Sequence, residues 1–300
     1  MFKVHASKRG VCMQHINFTK VIDISTDVRD GKLKAVNIDQ NNNIVLFIVK
    51  DMCTPNIICI NPKRKTKKYI LLQEDFESED VLFVQTLGDN FLIIFNHDRN
   101  NAYLFDTEGN IINKFDVGKG IQDCQVDIDN NIWISYSDEG IFGESVIGQN
   151  GIIAFNSQGN IVFNDYDSFV DKYDVPPIDD CYALNVTDND VWLYYYSEFP
   201  LVQIKNKKLH KFWENIDIAI DMDVKGFSIV NDKVVFIDRN NNLVAYSLST
   251  TQLQCMTPCD EKGNSINFIN YYCRGAMLCL QTEEAFYFVE FNNESSVAKF

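Results

Sequence analysis

The sequence predicts an all-β fold, a six-bladed β-propeller of four-stranded antiparallel blades. Three observations carry that prediction. Residues 121–160 hold four short apolar runs of strand length, separated by turns rich in Asn, Asp, Ser and Gly, the pattern of short strands joined by tight turns. The same unit recurs six times, with first strands starting near Leu33, Val81, Cys124, Cys181, Gly226 and Asn267. The steps between them are 41 to 48 residues, except the third, which is 57. Four-stranded units repeated at roughly 40–45 residues mark propeller blades. Within each unit the first three strands carry aliphatic residues on both faces, as sheets stacked face to face require. The fourth is more polar, as in Leu209-His-Lys-Phe212, and suits an outer edge.

Taken in order, residues 17–25 read as a fourth strand leading into the first complete unit, with residues 1–15 packed alongside. Residues 296–300 offer a second candidate for that outer strand. One of the two closes the ring, so one propeller is expected to span residues 1–300. The first turns lie at 39–43, 88–90, 129–131, 188–190, 231–233 and 274–275. The second strands follow at 44–49, 91–95, 132–136, 191–195, 234–238 and 276–281. Third strands mix aliphatic and aromatic residues, as in Ala102-Tyr-Leu-Phe105, Ile152-Ile-Ala-Phe155, Leu243-Val-Ala-Tyr246 and Ala285-Phe-Tyr-Phe288. Turns at 106–110, 156–160 and 292–295 lead to fourth strands. The basic run Lys63-Arg-Lys-Thr-Lys-Lys68 falls on an outer hairpin and reads as a solvated turn that keeps an outer strand soluble.

With 300 residues, 46% of them hydrophobic and 13% aromatic, the chain can bury a large core. It has only 14 Gly and 6 Pro, so its turns rely on Asn, Asp and Ser. A formal charge of -15 repels phosphate backbones, so no nucleic-acid partner is expected. No run approaches 18 apolar residues, so no helix is expected to span a membrane. The nine cysteines are odd in number, and Met1-Phe-Lys-Val-His-Ala6 lacks the apolar segment of a leader. Free thiols in a reducing, cytoplasmic setting are therefore expected, with no disulfides. Cys255 and Cys259 form a C-x3-C pair without a second Cys/His pair, which gives no zinc signature. Sequons at Asn17, Asn185 and Asn293 read as chance matches, because Asn185 falls in an inner strand.

No G-x-S-x-G elbow and no Walker loop occurs. Asp127-Ile-Asp129-Asn-Asn131 has the first ligand spacings of an EF-hand, but Ile132 stands where the sharp turn needs Gly, so a hairpin turn is expected. His97, beside Asp98, reads as a polar loop residue. The third-strand and turn patterns lack the Gly-His and Trp-Asp marks of WD40 repeats and resemble the looser six-bladed propellers of the NHL, TolB and gluconolactonase type. Segments such as Trp133-Ile-Ser-Tyr-Ser-Asp-Glu-Gly-Ile-Phe-Gly143 and Ile178-Asp-Asp-Cys-Tyr-Ala-Leu-Asn-Val186 also resemble uncharacterised bacterial propeller proteins. Those resemblances imply the fold. The lactonases among them imply a cation held by Glu, Asn and Asp, for which Glu144, Asp179, Asp180 and Glu198 are candidates that no spacing singles out.

The repeat is broken at one end of two adjacent units. The insertion 137–150 carries Asp138, Glu139, Phe142 and Glu144. The connection 164–180 ends in Pro176-Pro-Ile-Asp-Asp180, and Tyr194-Tyr-Tyr-Ser-Glu-Phe-Pro200 ends a strand. Departure from a repeat on one face marks a binding face. Asp138, Glu139, Phe142, Asp179, Asp180, Tyr182, Tyr195, Tyr196 and Glu198 are therefore expected to converge at one mouth of the channel. Their carboxylates should repel and raise one another's pKa unless a cation or Arg99 intervenes. A non-catalytic surface for a basic partner is the expectation, with no cofactor and no bound metal, on a monomer that takes a protein or a small ligand. An immunity-type neutraliser of a basic toxin is its specific form, and a metal-dependent hydrolase is the alternative.

Overall fold

The computed structural model describes residues 14–29, 31–50, 54–73, 81–216 and 224–292. The expectations for residues 1–13, for Cys12, Cys53 and Asn293, and for the strand at 296–300 lie outside them. Two strands, β1 (Gln14–Asn17) and β2 (Thr19–Asp23), and one helical turn, α1 (Ser25–Val28), come first. The first blade is β3 (Gly31–Ile38), β4 (Ile44–Lys50), β5 (Thr54–Asn61) and β6 (Thr66–Leu71). The second is β7 (Val81–Leu87), β8 (Asn90–Phe95), β9 (Ala102–Phe105) and β10 (Ile111–Phe115). In the third, β11 (Ile121–Val126), β12 (Ile132–Tyr136), β13 (Ile152–Phe155) and β14 (Ile161–Phe163) are interrupted by α2 (Asp138–Ile141) after β12. A helix, α3 (Asp167–Tyr173), leads to the fourth: β15 (Asp180–Thr187), β16 (Asp190–Tyr196), β17 (Leu201–Lys205) and β18 (Lys208–Trp213). The fifth is β19 (Ser228–Val230), β20 (Lys233–Ile237), β21 (Leu243–Ser247) and β22 (Leu253–Cys259). The last is β23 (Asn270–Arg274), β24 (Met277–Gln281) and β25 (Ala285–Glu290).

The sixth blade takes β2 as its outer strand, antiparallel to β25. The N-terminal strand thus supplies the fourth strand of the sixth blade. Ahead of it, β1 runs parallel to β22 and makes the fifth blade five-stranded. One segment therefore straps two neighbouring blades together. Phe18, between β1 and β2, is fully buried, and Ile16 and Phe18 pack with Leu243, Met256, Leu278 and Phe291 from both blades.

The turns have a local cause that repeats. At Asp39, Asp106, Asp127, Asp238 and Asp260, the side-chain oxygen accepts the backbone N–H two and four residues on. The Asn four residues on donates its side-chain amide back to the same carboxylate. Asn156 makes the two backbone bonds of this turn with residues 158 and 160. The residue before the closing Asn has positive φ every time: Asn42, Gly109, Asn130, Gly159, Asn241 and Gly263. Only Gly and Asn take that backbone cheaply, so Asp/Asn-x-x-Gly/Asn-Asn specifies the turn. Asp127 is one of this set, as the hairpin reading expects.

The core lies in layers between neighbouring blades. One layer joins blades two, three and four around Trp133, Phe155 and Leu193; another joins the sixth and first blades through Phe286, Ile58 and Val21. Lys67, expected in a solvated turn, instead pairs with the buried Asp27 of α1, which also accepts the Tyr69 hydroxyl at 2.9 Å. Burying one face of α1 against the outer hairpin of blade one requires a partner for that carboxylate.

At mid-depth the channel is closed by side chains of the inner strands. Gln85 donates to the carbonyls of Ile38 and Cys124, and Asn37 donates to Cys124 as well. Gln125 donates to Leu184 and Cys273, and Asn185 donates to Phe227 and Gly275. Each amide thus bridges blades through backbone groups that a ring centre would otherwise leave unpaired. Asn185 is fully buried in this belt, where a glycan has no room.

Candidate functional site

The inner strands begin at the upper face of the ring, and the β12–β13, β14–β15 and β16–β17 connections open there. Glycine positions the first of them. Gly120 has φ +63°, and a Cβ on it would meet the backbone N of Gly140 at 2.2 Å. A Cβ on Gly140 would meet the Lys119 carbonyl at 2.6 Å. Two glycines face to face let α2 lie against the entry to β11, and Ser137 N–H donates to the Gly120 carbonyl to hold it.

That seat carries Asp138 to Asp180, at the start of β15. The two lie near enough for the Asp138 charge to act on Asp180. Burial raises the pKa of Asp180, and the Asp138 charge raises it further, the outcome expected of crowded carboxylates. Neither carboxylate has an ion pair among the described residues. Tyr182 and Tyr196 join them: the Tyr182 hydroxyl is raised by burial, by Asp180, by Tyr196 and by Asp138. Phe199 connects the two rings, with centroids 6.3 Å from Tyr182 and 5.6 Å from Tyr196. Asp179 enters the same strand start through its N–H, which donates to the Tyr196 carbonyl at 2.9 Å.

Tyr195 is a correction. It is fully buried, on the face of β16 that packs with Tyr166 and Phe169 in the layer between blades three and four. Its hydroxyl donates to the Pro176 carbonyl at 2.7 Å and accepts from Tyr166 at 2.6 Å. Tyr195 therefore anchors α3 and the proline segment beneath the face and does not contribute to its surface. Glu198 is exposed beside this strand end and its charge reaches Tyr195. Glu139 is exposed on α2 and lines a hollow of about 290 Å³ with His97, Lys119 and Ser137. Asp98 pairs with Lys119 at 2.6 Å, while the His97 ring stacks on Phe95 at 5.2 Å. Phe142 is 70% exposed on the same connection, with Val146 nearby at 81%. Leu82, Tyr173 and Ile269 add exposed apolar surface at the same end of the ring.

Sequence reasoning placed the site at a mouth of the channel but named no residue inside it. Above the amide belt lies a cup of about 350 Å³, lined in part by Asp123, Gln122, Tyr271, Tyr272, Lys34 and Lys225. It shares Leu82 and Gln122 with the hollow at Glu139. Burial pushes the Asp123 carboxyl up to about 7, against smaller opposing effects of its hydrogen bonds and of Arg274. Burial also pulls Arg274 down to about 10, although Asp39, Asp123 and Asp127 hold its charge. The trace in the sequence is weak, because charged residues stand on the inner strands β3, β11, β15 and β23 alike.

The cation site implied by lactonase-like propellers does not fit these residues. Among the described residues no three His, Cys, Asp or Glu side chains gather into a metal-holding group. The channel centre is filled by amides and by the Arg274 guanidinium, which opposes a second cation there.

No curated protein matches the chain. Among solved structures it is similar to BamB from Moraxella catarrhalis, at 13% identity and TM-score 0.44, covering 86% of this chain and 85% of that one. It is also similar to the extracellular domain of the hybrid two component system BT4673 from B. thetaiotaomicron, at 10% identity and TM-score 0.49, covering 95% of this chain and 44% of that one. A protein of unknown function from Bacteroides caccae is similar at 11% identity and TM-score 0.42, over 62% of this chain and 68% of that one. Residues 152–289, running from β13 into β25, match the model of the YxzG family.

Proposed function

We propose that this chain is a non-catalytic binding propeller that holds a basic protein on its upper face. One observation carries the reading. Asp138 and Asp180 stand together with no Lys or Arg ion pair among the described residues, beside the Tyr182, Tyr196 and Phe199 rings. Carboxylates with aromatic faces are the pairing that recognises Lys and Arg side chains, through charge and through cation–π contact. A basic group seated there offsets the burial and the Asp138 charge that raise Asp180. Exposed Phe142, Val146 and Tyr196 supply apolar area around the charged centre. The overall charge of -15 accelerates encounter with a basic partner. Neutralisation of a basic toxin is one biological form of such binding.

The test uses deca-arginine and deca-glutamate peptides in calorimetric titrations at low and moderate salt. The Asp138→Asn, Asp180→Asn double variant should bind deca-arginine at least tenfold more weakly and keep its melting temperature. Asp129→Asn with Asp188→Asn removes equal charge from exposed turns at the opposite end of the strands and should change little. Equal losses in both double variants would reduce the effect to net charge and refute a defined face.

A further inference from the structure

The rings beside Asp180 stand in a fixed arrangement. Asp180 pairs with Tyr196 across the β15–β16 ladder, which sets the carboxylate next to that ring. Tyr182 is the bulged residue between Cys181 and Ala183, and a bulge re-aims the side chain it carries. Phe199 lies in the turn after β16. The Tyr182 and Phe199 rings are 6.3 Å apart with 32° between their planes, and Tyr196 stands 5.6 Å from Phe199 at 68°. Rings at that angle are two walls of a corner.

The corner is held from behind. Phe199 has φ +50°, in the left-handed region that a bulky side chain seldom takes. Its carbonyl accepts from the Ile216 N–H at 3.0 Å, and the Ile216 carbonyl accepts from the hydroxyl of the buried Tyr194 at 2.7 Å. The Tyr194 ring backs Phe199 at 6.5 Å and Tyr182 at 6.4 Å. Tyr196 is exposed, and Tyr182 and Phe199 are half-buried. A seat fixed in advance lowers the cost of binding.

Charge and shape select the guest. The charges of Asp180 and Asp138 both reach Tyr182, so a cation is favoured at the rings. A planar guanidinium stacks on one ring face, whereas a corner suits a rounded head group. A plain ammonium is compact and strongly hydrated, and its three N–H groups each need an acceptor. A quaternary ammonium has no N–H to satisfy and sets its methyl groups against ring faces.

We propose that Tyr182, Tyr196 and Phe199 form an aromatic cage for a quaternary ammonium group, with Asp138 and Asp180 as its counter-charge. This rests on the upper face being the binding face, as proposed above. On a protein partner the group is a trimethylated lysine.

The test titrates the protein, followed by NMR, with N-acetyl-trimethyllysine amide, with N-acetyl-lysine amide, and with the neutral isostere in which carbon replaces the quaternary nitrogen. The trimethyllysine compound should bind at least tenfold more tightly than either of the others. Choline serves as the free small molecule: weaker binding of choline assigns the cage to a protein partner, and tighter binding assigns it to a small ligand. Tyr196→Ala removes an exposed wall and should abolish the preference for the trimethylated compound, whereas Tyr196→Phe should keep it. Phe199→Leu keeps apolar bulk without a ring and should also abolish it. Equal binding of the trimethyllysine and lysine compounds by the wild-type protein overturns the proposal without any variant. So does equal binding of the isostere, or an unchanged preference in Tyr196→Ala. If deca-arginine still depends on Asp138 and Asp180 in those cases, the face reading survives and only the cage falls.

Discussion

Asp123 and Asp127 lie four residues apart and serve opposite ends. Asp127 closes a turn with four accepted bonds, whereas Asp123 stands under-bonded in a cup. The difference has a pH signature. An unfolded Asp titrates near 3.9, and in the folded chain burial pushes Asp123 up to about 7. Between those values the folded state keeps a proton that the unfolded state has lost. Its contribution to stability is therefore present at low pH and falls as pH rises through about 7, at a cost on the order of a few kcal/mol. Asp123→Asn cannot lose that proton. Urea unfolding at pH 5 and pH 8 should show the variant gaining on the wild type as pH rises. A difference that stays constant between the two pH values would count against a raised Asp123. Tyr195 and Tyr196 make the same point in another chemistry: adjacent tyrosines of one strand become a buried anchor and an exposed ring.

At the scale of elements, closure of the ring depends on a short strap. The two strands β1 and β2 belong to different blades, so the residues between them are pulled into the joint. Phe18 fills that joint and is fully buried. Phe18→Ala should cost about 3–5 kcal/mol, because a cavity opens between two rigid sheets that cannot collapse onto each other. Equilibrium urea unfolding measures it, and a loss below about 1 kcal/mol would mean that the strap contributes little to closure. The short helices show the limits of local reading. The segments holding α2 and α3 read as irregular loops in sequence, since helices of four and seven residues carry little periodicity. Docking shapes them: Gly120 admits α2, and Tyr166 and Phe169 bind α3 to Tyr195 and Phe163.

At the scale of the molecule, the seven described cysteines are free, and five of them are buried in the layers between blades or at the strap. Burial pushes the Cys59 and Cys273 thiols up to about 12 and raises Cys124 and Cys279 well above the ordinary thiol value. Cys255 is the exposed one, and its thiol is raised too, so its reactivity comes from access and not from activation. Alkylation of the native protein followed by peptide mapping should label Cys255 first among these seven. Rapid native labelling of Cys124 or Cys279 would show that the layers open readily.

The sequence by itself determined the repeat, the strand edges and the turns, because each follows from neighbours within five residues. The alternation of apolar runs and the Asp/Asn-x-x-Gly/Asn-Asn turns needs no distant partner to be read. It also pointed to the end of the ring where Asp138, Asp180, Tyr182 and Tyr196 stand together, since the repeat departs from its own pattern there. Tertiary structure alone decided that Tyr195 lies beneath that face, that β1 joins the fifth blade in parallel, and that Lys67 meets Asp27. It alone set Asp123 apart from the other acids of the inner strands. Those outcomes depend on burial and on partners from other blades, such as Arg274, 151 positions along the chain from Asp123. A local pattern carries no record of which charges a closed ring will bring together.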